Sequence, residues 1–259
     1  MVVSGVLIDI DGVLTVSWEP LPGAIAAFEK LRATGLRLRL ATNTTSRTRS
    51  AIAETLVHAG FDVTADSILT APVATASYLA QHHAGQRIFL LSSGDLSADF
   101  AGIEVVDEDG PADVVVLGGA GLAYTHEQLN HAFNLILGGA SFVAMHRNLY
   151  WRTSRGMELD TGAYALALEA ATGVSPAVIG KPARAFFEAG VAALGTSAAE
   201  TMMIGDDLDN DVLGARDAGI IGCLVRTGKF RADVLEASEK QPDHVVDSFA
   251  DAVELCLQR

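Results

Sequence analysis

The sequence predicts an α/β protein: a doubly wound parallel sheet interrupted by a second, inserted α/β unit. Three observations predict it. Short apolar runs alternate with helix-length amphipathic stretches along the 259 residues, the pattern of strand–helix–strand crossovers. Several of those runs end abruptly in polar residues, as strands do at the carboxyl edge of an open sheet, where ligands bind. The interval from Asn43 to Lys181 also holds far more chain than one crossover needs, with strand and helix patterns of its own.

The first strand and the turn after it read Val6–Leu14, an apolar run that acquires Asp9 and Asp11 just before Gly12 turns the chain. Thr15–Pro22 reads as a loop and Ala24–Ala33 as a helix stopped by Gly35. Leu36–Asn43 alternates as a strand does, although Arg37 and Arg39 are unusual in one covered on both faces. A polar stretch, a helix to about Ala59, and a helical Ile68–Ala80 follow. Strands are expected at 87–91, 113–117, 141–145 and 177–180. Helices lie between them, one opened by Thr125 in a capping pattern and one capped by Asp160 or Thr161. Pro182 opens the helix to Leu194, and Thr201–Ile204 is a buried strand ending in Gly205-Asp206-Asp207-Leu208-Asp209-Asn210-Asp211. Strands at 220–225 and 244–246 and helices at 232–238 and 249–257 complete the chain. The expected division is 1–79 with 177–259 as one unit and 80–176 as the insert.

Composition narrows the function. A net charge of −14 and no Lys/Arg cluster disfavour nucleic acid and anionic membranes as partners. No apolar run reaches the ~18–20 residues of a membrane span, and no cleavable leader is expected. Cys223 and Cys256 each lie in an apolar run and read as buried free thiols of a reducing, cytoplasmic compartment.

Four strand ends carry chemistry: Asp9 and Asp11; Thr42 and Asn43; Lys181; and Asp206, Asp207 and Asp211. Taken alone, the first pair is equally well an acidic loop. In one doubly wound sheet, all four ends open on the same edge. Hard carboxylate oxygens in that number suit Mg2+, and a lysine and a threonine hydroxyl beside the cation suit a phosphoryl group. One acid of the first pair can then attack phosphorus while the other manages the proton.

These four stretches, in this order, resemble motifs I to IV of the haloacid dehalogenase (HAD) superfamily. The long insert resembles its C2-capped, NagD-like branch, as do Gly180-Lys181-Pro182 and Val225–Arg231. The resemblance implies a Rossmann-like core sheet with an inserted α/β C2-type cap. It implies a Mg2+-dependent phosphatase acting on a small phosphorylated molecule: a phosphoric monoester, a phosphoramidate or pyrophosphate. Asp9 is then the nucleophile and Asp11 the general acid/base. Asp9, the Asp11 carbonyl and Asp206 hold Mg2+, with Asp207 and Asp211 one layer further out. Thr42 and Asn43 take the phosphoryl oxygens and Lys181 neutralises charge. A homodimer through the cap is expected by resemblance alone. A phosphotransferase or phosphomutase of the same superfamily, and a receiver-like phospho-acceptor module, are the competing readings.

Within the insert, Arg147 and Asn148 are candidate substrate contacts, with a solvated loop as the alternative. Tyr150 and Trp151 offer a stacking face or pack down as core. Gly118–Gly121 reads as a turn.

Overall fold

The computed structural model describes residues 3–107, 109–153 and 156–258, and for 151–153 the backbone only. It divides into two compact units: 1–42, 49–69 and 181–259 form the first, and 43–48 with 70–180 the second. The expected boundary at 79/80 therefore falls inside the helix Ala71–His82, and strand Ala177–Val178 belongs to the insert. The reason is pairing: Ala177–Val178 runs parallel to Ser141–Ala144, a strand of the insert's own sheet.

The first unit is built on a six-stranded sheet in the order His244–Val246, Ile221–Val225, Thr201–Gly205, Gly5–Ile8, Arg37–Thr42, Ile68–Thr70. Gly5–Ile8 pairs in parallel with strands on both sides, Ile8 lying opposite Ile204 and Leu40. The chain leaves this central strand first to one side and later to the other, so the sheet has a topological switch point beside it. Gly5–Ile8 is buried throughout, as are Met202, Met203 and Ile204. The apolar run of the first strand is thus explained by cover on both faces. Helices Ala24–Arg32 and Phe249–Leu257 bury Phe28, Leu31, Phe249 and Val253 in the same core cluster.

The two arginines of the second strand have a physical account. Arg37 donates to the carbonyls of Leu194 and Gly195, where helix Arg184–Leu194 ends. Those carbonyls have no partner inside the helix, so the guanidinium serves as a cap rather than as sheet packing. Arg39 donates to the Leu38 carbonyl.

Two stretches differ from expectation. Ile68–Thr70 is an edge strand, and Thr70 caps the helix that follows by accepting from the Val73 amide at 3.3 Å. Thr15–Pro20 is not a plain loop but a hairpin, Thr15–Val16 against Glu19–Pro20.

The second unit has a parallel sheet in the order Ala177–Val178, Ser141–Ala144, Val114–Leu117, Ile88–Leu91, packed with helices His126–Leu137 and Thr161–Thr172. It also carries an antiparallel hairpin, Tyr150–Thr153 with Gly156–Leu159, that sequence reasoning missed. Gly118–Gly121 is a turn, the Gly118 carbonyl accepting from Tyr124 Oη at 2.8 Å. Among the described residues, no helix is long and apolar enough to cross a membrane.

Candidate active site

At the carboxyl ends of the central strands the first unit gathers buried charge. Asp9 follows Gly5–Ile8 and is tied to its neighbour by its amide, which donates to the Ile204 carbonyl at 2.9 Å. Asp206 follows Thr201–Gly205. Asp211 reaches the same place by a wide, π-type helical turn over Leu208–Leu213, with Val212 N–H donating back five residues to the Asp207 carbonyl. Such turns recur at functional sites because they re-aim side chains. Gly205 makes this one possible: a Cβ there would lie 2.2 Å from the Asp211 Cβ. As a result Asp9, Asp206 and Asp211 each present an oxygen within 4.8 Å of the others, all three buried.

One ammonium answers them. Lys181 Nζ, buried, lies 2.6 Å from Asp9 Oδ1, 2.6 Å from Asp211 Oδ1 and 3.1 Å from the Ala41 carbonyl. Burial alone would lower its pKa, but the charges of Asp211 and Asp9 outweigh that and raise it. Three carboxylates against one lysine leave an excess of negative charge. Burial first, and then the charges of Asp9 and Asp211, push the Asp206 carboxyl up to about 8. Asp211 is pushed up to about 6 by burial, the nearby lysine pulling the other way.

Asp206 is held from one side only. Its Oδ2 accepts from the Lys229 amide at 2.6 Å, whereas its buried Oδ1 has no hydrogen-bond partner among the described residues. An orphaned buried oxygen facing two more carboxylates fits a hard divalent cation, which takes oxygen ligands and cancels their repulsion.

Lys229 belongs to a loop, Arg226–Arg231, whose role in the site was not foreseen. Thr227 donates its hydroxyl to the Gly12 carbonyl, tying this loop to the turn after the first strand. Gly228 has φ 57°, and a Cβ on it would lie 2.0 Å from Asp206 Oδ2 and 2.5 Å from the Gly12 Cα. Gly228→Ala is therefore expected to displace the loop from Asp206 and weaken divalent-cation binding about 10–100-fold. Gly23→Ala is the control: φ there is 77° and nothing lies within 4 Å, so it carries the backbone strain without the clash. Isothermal titration with MgCl2 checks both, and equal affinities would refute the role given to Gly228.

Asp11 stands apart from the trio. It is exposed, and its Oδ1 accepts from the Ser17 amide at 3.1 Å. Ser17 and Trp18, with φ of 51° and 71°, sit in the left-handed region at the hairpin tip, where non-glycine residues are strained. Trp18 packs against the core cluster and helps to offset that strain.

The other expected residues are placed as follows. Thr42, buried, ends its strand in the first unit, while Asn43 is the first residue of the second. The Asn43 side chain lies where a Cβ on Gly180 would meet it at 2.7 Å. Asp207, expected one layer out from the metal, instead caps the wide turn, its two oxygens accepting from Asn210 N and Nδ2 at 2.9 Å. Asp211, expected at the same remove, lies directly in the trio. Arg147, expected to hold a substrate anion, pairs with Glu169 at 2.6 Å. The Asn148 amide donates to His146 Nδ1 at 3.3 Å, and its carbonyl accepts from Gly162. Asp160 is the helix cap expected, accepting from Thr161 N at 2.8 Å. Tyr150 is exposed, and the Trp151 side chain lies outside the described residues.

A parallel sheet with an acid trio, a paired lysine and an inserted α/β unit defines an HAD-type hydrolase, and comparison with known proteins agrees. Residues 6–106 match the family model for haloacid dehalogenase-like hydrolases, and 178–252 match a second HAD-hydrolase-like model. The chain is 37% identical to haloacid dehalogenase-like hydrolase domain-containing protein 2 of Pongo abelii, over 98% of this chain and 95% of that protein. It is 34% identical to human phospholysine phosphohistidine inorganic pyrophosphate phosphatase, over 99% and 95%. Among solved structures, NagD from E. coli K-12 superposes with a TM-score of 0.89 at 28% identity, over 97% of this chain and 98% of that one. The chain belongs to the haloacid dehalogenase-like hydrolases, in their NagD-like branch; it is an enzyme of the phosphatase kind.

Proposed function

We propose that this protein is a Mg2+-dependent phosphatase that hydrolyses a small phosphorylated molecule through an aspartyl-phosphate on Asp9. The observation that carries the reading is the convergence of Asp9, Asp206 and Asp211 on one another with Lys181 bonded to two of them. Asp9, the Asp11 carbonyl and Asp206 would hold the cation, with Asp211 beside them; when bound, it supplies positive charge to the phosphoryl oxygens.

The chain's own residues do the rest. Lys181 donates to Asp9 Oδ1, so the carboxylate is presented in one orientation. A carboxylate oxygen of Asp9 attacks phosphorus as the bond to the leaving oxygen breaks, and Asp11 gives that oxygen a proton. Asp11 then takes a proton from water, which attacks the phosphorus, releases inorganic phosphate and restores Asp9. Thr42 and Asn43 are assigned to the phosphoryl oxygens. The net charge of −14 and the lack of a Lys/Arg cluster along the sequence favour a small molecule over nucleic acid as substrate. The two buried free thiols suit a cytoplasmic setting.

Phosphate release from p-nitrophenyl phosphate, with MgCl2 and after chelation, is the test. Turnover that needs Mg2+ supports the reading, and turnover indifferent to chelation overturns it.

The raised carboxyls give a second measurable consequence. Asp206 ionises near 8 in the folded chain against 3.8 ordinarily, so the metal-free folded state holds an extra proton between those values. Stability then falls as pH rises through about 4 to 8, and a bound cation removes the penalty. At about 100 times its dissociation constant, the cation adds ~2.7 kcal/mol, or roughly 5–10 °C in Tm. Differential scanning calorimetry with and without MgCl2 is expected to show a larger shift at pH 8 than at pH 5.

A further inference from the structure

The chain has four lysines. Lys30 pairs with Glu254, Lys240 with Asp217, and Lys181 with Asp9 and Asp211. Lys229 is the exception: among the described residues its ammonium forms no ion pair and donates no hydrogen bond. Yet its backbone stands at the most acidic place in the first unit, with its amide 2.6 Å from Asp206 Oδ2. The loop cannot drift away, because Thr227 binds the Gly12 carbonyl and Gly228 abuts the Gly12 Cα. A four-carbon stem with an exposed side chain thus starts from a fixed point beside the acid trio.

Charge accounting shows what such a cation is for. Asp9, Asp206 and Asp211 carry three negative charges, Lys181 one positive, and a divalent cation would bring the sum to zero. A phosphoryl dianion then enters with no charge left to meet it, Thr42 and Asn43 being neutral. Lys229, whose amide already lies against Asp206, is the lysine placed to supply that charge.

We propose that Lys229 is a substrate-binding residue whose side chain anchors the anionic phosphoryl group through a charge-assisted hydrogen bond. The inference rests on the phosphatase reading above and adds a binding residue from outside the four motif stretches.

The side chain can be removed cleanly, because the main-chain amide of Lys229, not its ammonium, holds Asp206. Wild type, Lys229→Met and Lys229→Arg are compared at saturating MgCl2, with p-nitrophenyl phosphate and pyrophosphate as substrates. Inorganic phosphate serves as competitive inhibitor, and its binding is also followed by calorimetry. The methionine variant is expected to raise KM and the phosphate inhibition constant about 10–100-fold, with kcat within about twofold and partial restoration by arginine. KM and phosphate affinity both unchanged, or a loss confined to kcat, would overturn the assignment. If wild type turns over neither substrate, the phosphatase reading fails. Calorimetric phosphate binding still decides on Lys229: weaker binding in the methionine variant supports its role and equal binding rejects it.

Discussion

Asp9→Asn is expected to leave a folded protein whose phosphate release falls by on the order of 10^4-fold or more. The amide keeps the shape and one acceptor oxygen for Lys181 Nζ, now 2.6 Å away, but it is a poor nucleophile and a weaker ligand for a cation. Residues that act as one unit fail together, so losing this member costs about as much as losing several. The acyl-phosphate gives a direct readout: wild type quenched during turnover and treated with hydroxylamine should yield Asp9 hydroxamate, and the asparagine variant none. Residual activity within tenfold of wild type would reject Asp9 as the nucleophile.

Lys181→Met ranks second in expected size. The lysine is 3% exposed and compensates two buried carboxylates, so removing it strands negative charge in a dry site. Breaking a buried ion pair from one side costs about 3–5 kcal/mol. The sign with pH follows from the carboxyls. Lys181 now pulls the Asp211 pKa down, so without it that carboxyl takes up a proton more readily. The folded variant binds more protons than the unfolded chain, and stability falls as pH rises. The loss should be greatest near pH 8 and shrink towards pH 5, where protonation relieves it. Urea denaturation at both values checks this, and a pH-independent loss would show that packing, not charge, was removed.

The sequence disclosed much of this because it placed chemistry at strand ends. Asp9, Thr42 and Asp206 are legible since each ends an apolar strand of the six-stranded sheet, whereas Lys181 follows a strand of the insert's own sheet and not, as expected, one of the same sheet. The division into a core and an insert was legible from chain length between Asn43 and Lys181. What escaped reading involves the backbone. The loop at 226–231 serves the site through the Lys229 amide, the Thr227 hydroxyl and the missing side chain of Gly228, and only the hydroxyl is visible as a residue type. Asp207 and Asp211 could not be ranked because the wide turn between them decides which one faces the trio. Ile68–Thr70 merged into the following helix because three residues are too few to show a period of two. Arg147 looked available until the fold brought Glu169, 22 residues later, against it.

The division of the chain has a consequence for how such enzymes diversify. The acid trio and its lysine all lie outside the span from Asn43 to Gly180, which belongs to the second unit apart from the short return at 49–69. Thr42 is the last residue of the first unit before the chain first enters the second, and Lys181 the first after it finally leaves. The chain crosses between the two units at four peptide bonds, 42/43, 48/49, 69/70 and 180/181. A module bounded in this way can lengthen or mutate within 70–180 without altering any residue of the trio or its lysine.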